Sequence, residues 1–535
     1  MAQADETQAN EAQVGVAPAA EAQADEIHLT AARAEELAAT YGTPLYLYDE
    51  AAIRARTRAL ADAFAWCPGF REYFAVKATP NPSIIQLLAE EGCGCDCATA
   101  PELLLAQACG LTGHDMILTS NDTPAADYRL AVDLGAIVNF DAADMPAYWE
   151  QHVGAFPRTV CCRVNPGGTF EAANGIIGTP EDSKFGMTVP QLRETFAYLR
   201  DHGVEEFGVH AFLASNTLGG DYYPRLARQL FELVADLARD LDIHIGFVDL
   251  SGGIGIPYDP ADADRANDIV AIGQGVRRAY EDVLVPAGMG DVALYAELGR
   301  WLLAPAGALL TRVIHEKETY RRYLGVDACS ANLMRPQLYG AYHRIDVVGR
   351  EDAPALATYN VVGGLCENGD QLAQDRPLPE THPGDLLLIH DVGAHGHSMG
   401  YNYYGKLRSA EVLLRADGTT ELIRRAERVT DYFATLDATE VGCRALPLAA
   451  RWQADLSAEL SAEPSADPSV GPQLGALSAE PQLGAPSDDP HAQRTTHTPR
   501  TPYAAHTARV AHPYKTDGVT VTTVDNAGGD SKRKL

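Results

Sequence analysis

Basic residues are scarce in this chain of 535 residues: 42 Lys and Arg stand against 73 Asp and Glu, a formal net charge of -31. A phosphate backbone and an anionic membrane surface both call for a basic face, so neither nucleic acid nor a membrane is an expected partner. Long apolar runs are missing too. No stretch approaches the ~20 apolar residues of a membrane span. The opening "MAQADETQANEAQVGVAPAAEAQADE" has neither a basic start nor an apolar core, so no secretory leader is expected and the cytoplasm is the expected location. Cysteine pairs at metal-site spacing are also lacking. The ten cysteines are spread through the chain, as reduced thiols would be. "EGCGCDCATA" crowds Cys93, Cys95 and Cys97, but a closed zinc site wants four ligands and no partner pair follows, so no metal is expected. In a strand the three thiols share one face, packed under helices, and Asp96 takes the other.

What the chain does have is length enough for two or more cored domains. From about residue 70, short apolar strands alternate with amphipathic helical stretches such as "PSIIQLLAEE" and "YYPRLARQLFELVADLARDL". Strands are predicted at 71–77, 93–98, 115–119, 136–140, 158–164, 207–212, 247–250 and 292–296. Eight strands separated by helices predict an α/β chain built on a closed (β/α)8 TIM barrel over 51–305, with its active site at the strands' C-terminal ends. Segments such as "ALLTRVIHEK" and "GDLLLIHDVG" then predict a mostly-β domain over 306–447. "TPLYLYD" at 43–49 is a strand in a lead-in, 27–50, that can join either unit. Residues 1–26 and the acidic, Pro-rich repeat tail 452–535 cannot bury enough apolar surface to fold and are expected to be disordered.

One strand ends unusually. In "REYFAVKATPNPS" both faces are apolar until Lys77, as in a parallel strand covered on both sides. An amine at such a place can lose its proton and act as a nucleophile that forms Schiff bases. A strand-end lysine reaching out to solvent fits the stretch equally well. Two familiar patterns carry little. "GHSMG" at 396–400 fits a serine nucleophile elbow, but every histidine after Ser398 lies in the tail. "GGIG" at 252–255 follows a strand and could bring backbone N–H groups to a phosphate, a weak signal alone.

Together the pieces are stronger. "YFAVKATPN", "DLSGGIGIPY", "AELGRWL", "MRPQLYGAYH", "GGLCENGD" and "SMGYNYYGKLRSAEVLL" occur in one order and spacing. Over roughly residues 28 to 445 the chain resembles the pyridoxal-phosphate-dependent decarboxylases of the alanine-racemase-like fold, and most closely their diaminopimelate branch. The resemblance implies that Lys77 holds pyridoxal 5'-phosphate covalently. Ser215 and Gly253 would bind its phosphate with the Glu297-Leu298-Gly299-Arg300 segment and Tyr403. Glu297 would face the pyridine nitrogen, with Asp96 and His210 nearby, and Cys366 would return the proton after CO2 leaves. Arg335 and Arg300 would take substrate carboxylates, Glu367 the distal ammonium, and Tyr339 and Tyr403 would add hydrogen bonds. The active site would be shared between the two chains of a homodimer.

Three positions depart from the family pattern. Leu298 stands where Pro is common, and Thr79 where Asn is usual. Phe212 replaces the ring-stacking His, because "HAFLAS" stands for "HCHIGS". A phenyl ring can still cover the cofactor by stacking. The implied reaction is decarboxylation of meso-2,6-diaminopimelate to L-lysine. The alternatives are another basic amino acid (ornithine, arginine, lysine or carboxynorspermidine) and a catalytically silent relative that only binds partners. Deleting residues 452–535 is expected to leave the cooperative melting transition and the activity intact, checked by calorimetry and turnover of the truncated chain.

Overall fold

The structure, a computed structural model, describes residues 26–167, 180–436, 447–449 and 451. The expected disordered segments, 1–26 but for its last residue and 452–535, lie outside the described residues. After strand β1 (Leu45–Asp49) come the barrel strands: β2 (Arg71–Ala75), β3 (Gly94–Cys97), β4 (Met116–Ser120), β5 (Ile137–Phe140), β6 (Thr159–Arg163), β7 (Glu206–His210), β8 (His244–Asp249) and β9 (Ala293–Ala296). Each pairs in parallel with the next, and β9 closes on β2.

Alternation along these strands builds two cores. Inward-facing Tyr73, Ile117, Ile137, Cys161 and Phe247, one from each of five strands, plug the barrel, with Tyr295 stacked on Phe247 at 4.5 Å. Gly208 lies opposite this plug because a Cβ there would stand 2.1 Å from the Phe247 ring. Outward-facing Phe74, Cys95, Cys97, Leu118 and Val138 pack under the helices, as expected of the thiols, and Cys93 joins them. Fully burying each such large apolar side chain contributes about 1.5–3 kcal/mol. The helix Tyr222–Leu241 supplies a matching stripe, burying Tyr223, Leu226, Leu230, Val234 and Leu237 at helical spacing.

A second, mostly-β unit follows: β10 (Gly307–Glu318), β11 (Arg322–Val326), β12 (Ile345–Val347), β13 (Ala357–Val362), β14 (Gln371–Leu378), β15 (Leu386–Ile389), β16 (Ala410–Leu414) and β17 (Thr420–Arg424). The lead-in strand, which the sequence left open between two units, belongs to this sheet. β1 runs antiparallel to β10 and parallel to β16. No helix of the described residues is long and apolar enough to cross a membrane.

The barrel strands end earlier than the sequence pattern suggests. β2 stops at Ala75, and Val76–Ala78 forms a 3-10 turn closed by Thr79 N–H donating to Val76 O at 3.1 Å. Lys77 therefore lies on this turn rather than in the strand. The β unit grips the turn. Ala78 O accepts from His395 N–H (2.9 Å) and from Ser398 Oγ (3.0 Å), and Thr79 Oγ1 donates to Gly393 O (2.6 Å). β7 likewise stops at His210, two residues before Phe212.

Candidate functional site

The barrel's C-terminal end is floored by acids. Lys77 Nζ donates to Asp96 Oδ2 at 2.7 Å; the lysine side chain is 49% exposed and the aspartate 0%. Asp96 reaches this place because it alternates with Cys95 and Cys97 on β3. Burial beside Glu297 pushes its carboxyl up to about 7, against the pull of Lys77. Burial disfavours the lysine's charge as well, but Asp96 and Glu297 outweigh it and hold the ammonium above its ordinary range.

Glu297, just past β9, is buried and bonded twice at Oε2, by Ser251 Oγ–H (2.6 Å) and His210 Nε2 (3.3 Å). Burial pushes His210 below its ordinary value, so the imidazole meets Glu297 as a neutral donor. Burial opposes the Glu297 charge too, yet His210, Lys77 and Ser251 hold it down at about 2. Asp249, next to it, is pushed well above the ordinary carboxylate range by burial and by Glu297. Ser251 is left-handed, φ 54, although it is not glycine. Its N–H donates to Asp249 Oδ1 (2.7 Å), and its carbonyl accepts from Tyr223 O–H (2.6 Å) and Glu297 N–H (2.9 Å). Strain of this kind, of order 1–3 kcal/mol, persists where surrounding bonds over-determine it.

Above the floor, two loops are laced together. Thr217 N–H donates to Gly253 O and Gly255 N–H to Thr217 O, both at 2.9 Å, which joins the segment bearing Ser215 to the glycine loop. Gly253 has φ 116, and a Cβ on Gly252 would stand 2.9 Å from Glu297 O and 3.6 Å from the Phe212 ring. Arg163, buried on β6, pins this region through Asp141 Oδ1 (3.0 Å) and Phe212 O (3.3 Å). Leu298 is engaged otherwise: its side chain sits in the main core, and its N–H donates to Glu72 Oε1 at 2.6 Å.

Arg300 and Arg335 meet at one wall, 8% and 5% exposed, and both touch Tyr258. Cys366, Glu367 and Tyr403 gather elsewhere on the β unit. Tyr403 O–H donates to Glu367 Oε1 at 3.1 Å, Cys366 is exposed, and Tyr403 is 52% exposed. Tyr339 stands half-exposed at the end of the short helix Arg335–Tyr339.

Ser251, Asp249, Tyr258 and His343 are site residues that the sequence reading did not single out. All four lie in or beside the quoted motifs, but nothing local distinguishes them, because their roles come from a left-handed turn and from tertiary pairing.

The residues fit pyridoxal phosphate. Among the described residues, Glu297 Oε1, His210 Nδ1 and Asp96 Oδ1 are buried with no hydrogen-bond partner. An ionised carboxylate with a free oxygen suits a protonated ring nitrogen, and an accessible amine stands across from it. His210, Asp249 and Glu297 also bring metal-ligand-type atoms within 4.8 Å of one another, but the His210 and Glu297 atoms already bond each other.

Residues 50–304 match the model of the pyridoxal-dependent decarboxylase family, pyridoxal binding domain. Protein TabA of Pseudomonas amygdali pv. tabaci is 40% identical over 398 residues, 74% of this chain and 92% of that one. The diaminopimelate decarboxylase of Methanothermobacter thermautotrophicus is 34% identical over 402 residues, 75% and 93% of the two chains. The crystal structure of diaminopimelate decarboxylase from Helicobacter pylori complexed with L-lysine matches with a TM-score of 0.68 at 27% identity, covering 75% of this chain and 99% of that one. With an eight-stranded barrel, an amine at its mouth and a buried carboxylate facing it, the chain belongs to the pyridoxal-phosphate-dependent decarboxylases, the carboxy-lyase family that includes the diaminopimelate decarboxylases.

Proposed function

We propose that this enzyme decarboxylates meso-2,6-diaminopimelate to L-lysine and CO2, as a cytoplasmic homodimer. The observation that carries this reading is the pair of buried guanidiniums, Arg300 and Arg335, held by hydrogen bonds and ring contacts to the neutral groups Tyr258 and His343. Diaminopimelate bears a carboxylate at each end, whereas a diamine-forming enzyme has no use for a second carboxylate receptor. Ornithine, arginine or lysine would bring no second carboxylate to this buried pair of cations.

In this reading Lys77 Nζ holds the cofactor, Ser215 and Gly253 cradle its phosphate, and Glu297 keeps its ring nitrogen protonated. When bound, the cofactor supplies a cationic ring that takes up the electron pair left as CO2 departs. The Phe212 ring, beside Gly252, would cover the cofactor ring by stacking. Cys366 holds a proton at Sγ for the carbon that loses its carboxyl group. Glu367 takes the distal ammonium, and Tyr403 positions Glu367 through their hydrogen bond. The second chain is part of the proposal. Glu367 is bonded to exposed Tyr403, and Leu338, Tyr339 and Tyr404 of the same unit are exposed too, apolar surface that a second chain would cover. The charged groups that act most strongly on Lys77 are Asp96, Glu297 and Glu102.

Purified holoenzyme is expected to release CO2 from meso-diaminopimelate with a kcat/KM roughly tenfold or more above that for L-lysine, L-ornithine or L-arginine, the worth of one charged hydrogen bond to a carboxylate. Preference for ornithine or arginine would assign the substrate to that amino acid, and no release from any would make the chain a silent relative. Lys77→Ala is expected to lose the near-visible absorbance of bound cofactor, with no borohydride fixation on another lysine.

Lys77→Ala and Cys366→Ala chains are each expected to be inactive. Co-expressed, they should recover roughly a quarter of wild-type activity, since random assortment makes half the dimers mixed, each with one intact site. Verified mixed dimers that stay dead would place the whole site within one chain.

Ser251→Gly separates strain from function. Glycine relieves the left-handed φ, so the melting temperature should hold or rise, while cofactor affinity, read by absorbance titration, should fall roughly tenfold with the lost hydrogen bond to Glu297. A fall in both together would reduce Ser251 to a packing residue.

A further inference from the structure

Burying two like charges side by side is unfavourable unless an anion joins them. Arg300 follows β9 on the barrel, whereas Arg335 opens a short helix of the β unit. Neither is left to find its own place. Arg300 Nη1 donates to Tyr258 O–H at 2.6 Å, and its Cζ lies 5.6 Å from the Tyr258 ring centroid. Arg335 lies over the same ring, with Cζ at 4.6 Å from the centroid. Tyr258 itself is buried at the end of "GGIGIPY", the loop that follows β8. One phenol therefore touches both cations, by its hydroxyl and by its ring.

His343 completes the arrangement. Its ring stands edge-on to Tyr258 with centroids 5.1 Å apart, and the residue is fully buried. His343 Nδ1 faces the His390 carbonyl at 2.9 Å; a carbonyl only accepts, so Nδ1 carries the proton. Nε2 is then the acceptor, and Arg335 Nε–H donates to it at 3.3 Å. A histidine with its tautomer fixed by a backbone carbonyl thus holds Arg335 by Nε, leaving the outer Nη groups for a ligand. Burial and the neighbouring Arg335 keep that imidazole neutral, at about 3.

We propose that Tyr258 is the specificity-determining residue of the site. It joins Arg300 and Arg335 into one receptor for the substrate carboxylate remote from the reacting carbon, with His343 as the positioning residue for Arg335. The proposal rests on the diaminopimelate reading for its natural ligand, but its chemistry is that of any carboxylate at that distance. A ring with two cations against it is favourable for each cation taken alone, since the aromatic face attracts them. A neutral scaffold also leaves their charge undiminished for the substrate. A carboxylate in the place of Tyr258 would hold the arginines better and bind the substrate worse.

The test uses holoenzyme and two probes that differ only in the second carboxylate, pimelate and heptanoate, with binding measured by calorimetry. Wild type should bind pimelate roughly 10- to 100-fold more tightly, the range expected of a charged hydrogen bond. Tyr258→Leu should erase that difference, and KM for meso-diaminopimelate should rise by the same factor while the cofactor absorbance and heptanoate binding hold. His343→Leu should do the same more weakly, and His343→Gln, whose amide oxygen can still accept from Arg335, should recover most of the loss. If wild type prefers pimelate but does not turn over diaminopimelate, the receptor stands and the substrate reading fails. Equal binding of the two probes by wild type, or a Tyr258→Leu protein that weakens both probes alike, overturns the receptor.

Discussion

A carboxylate that stays ionised inside a barrel is the constraint on which the site depends. Glu297 is buried, and burial favours its neutral form. The fold keeps the charge by surrounding one oxygen with donors from two other strand ends, His210 at the end of β7 and Ser251 just after β8. The backbone is tied as well, because Glu297 N–H bonds the carbonyl of the same Ser251. That double hold needs Ser251 in the left-handed region, where only glycine is at ease, and Tyr223 and Asp249 fix it there. Removing any one tie would let the carboxylate turn, protonate, or both.

The barrel can carry this polar floor because its lower interior is so apolar. Tyr73, Phe247 and Tyr295 fill the axis, and room for them is made by residues without side chains. A Cβ on Gly94 would meet the Tyr73 ring at 2.6 Å, much as one on Gly208 would meet Phe247. Each strand is thus divided along its length, with packing at its N-terminal half and chemistry at its C-terminal end. The β unit works from the other side. It holds the Lys77 turn by three hydrogen bonds, from His395 and Ser398 to Ala78 O and from Thr79 to Gly393 O, and through β1 its sheet includes a strand from ahead of the barrel.

This division explains what could be read from the sequence. Eight apolar runs between amphipathic helices are local patterns, so the strands and the barrel were legible. Asp96 was legible for the same reason, since alternation against Cys95 and Cys97 places it inward whatever the tertiary structure. The strand ends were not. Lys77 and Phe212 read as strand residues, yet both lie past the last ladder bond, where turn geometry decides. "TPLYLYD" has a strand's pattern but no mark of which sheet it joins, because its partners β10 and β16 are more than 250 residues away. Tyr258 and His343 were illegible in another way: a tyrosine and a histidine mean little until an arginine is found against each.

The Glu297–Arg300 segment raises the hardest problem of the site, which is why an acid and a base three residues apart do not simply neutralise each other. If they paired, neither would be left for a ligand. Gly299 lies between them, and a Cβ there would stand 2.6 Å from that of Ala78, so the segment packs backbone-close against the Lys77 turn. From this seat the two side chains take separate partners. Glu297 goes to Ser251 and His210, and Arg300 goes to Tyr258. Every one of those partners is neutral, so each charge is held in place without being cancelled. Two receptors of opposite sign can therefore share one short turn, one suited to a cationic ring and the other to a carboxylate.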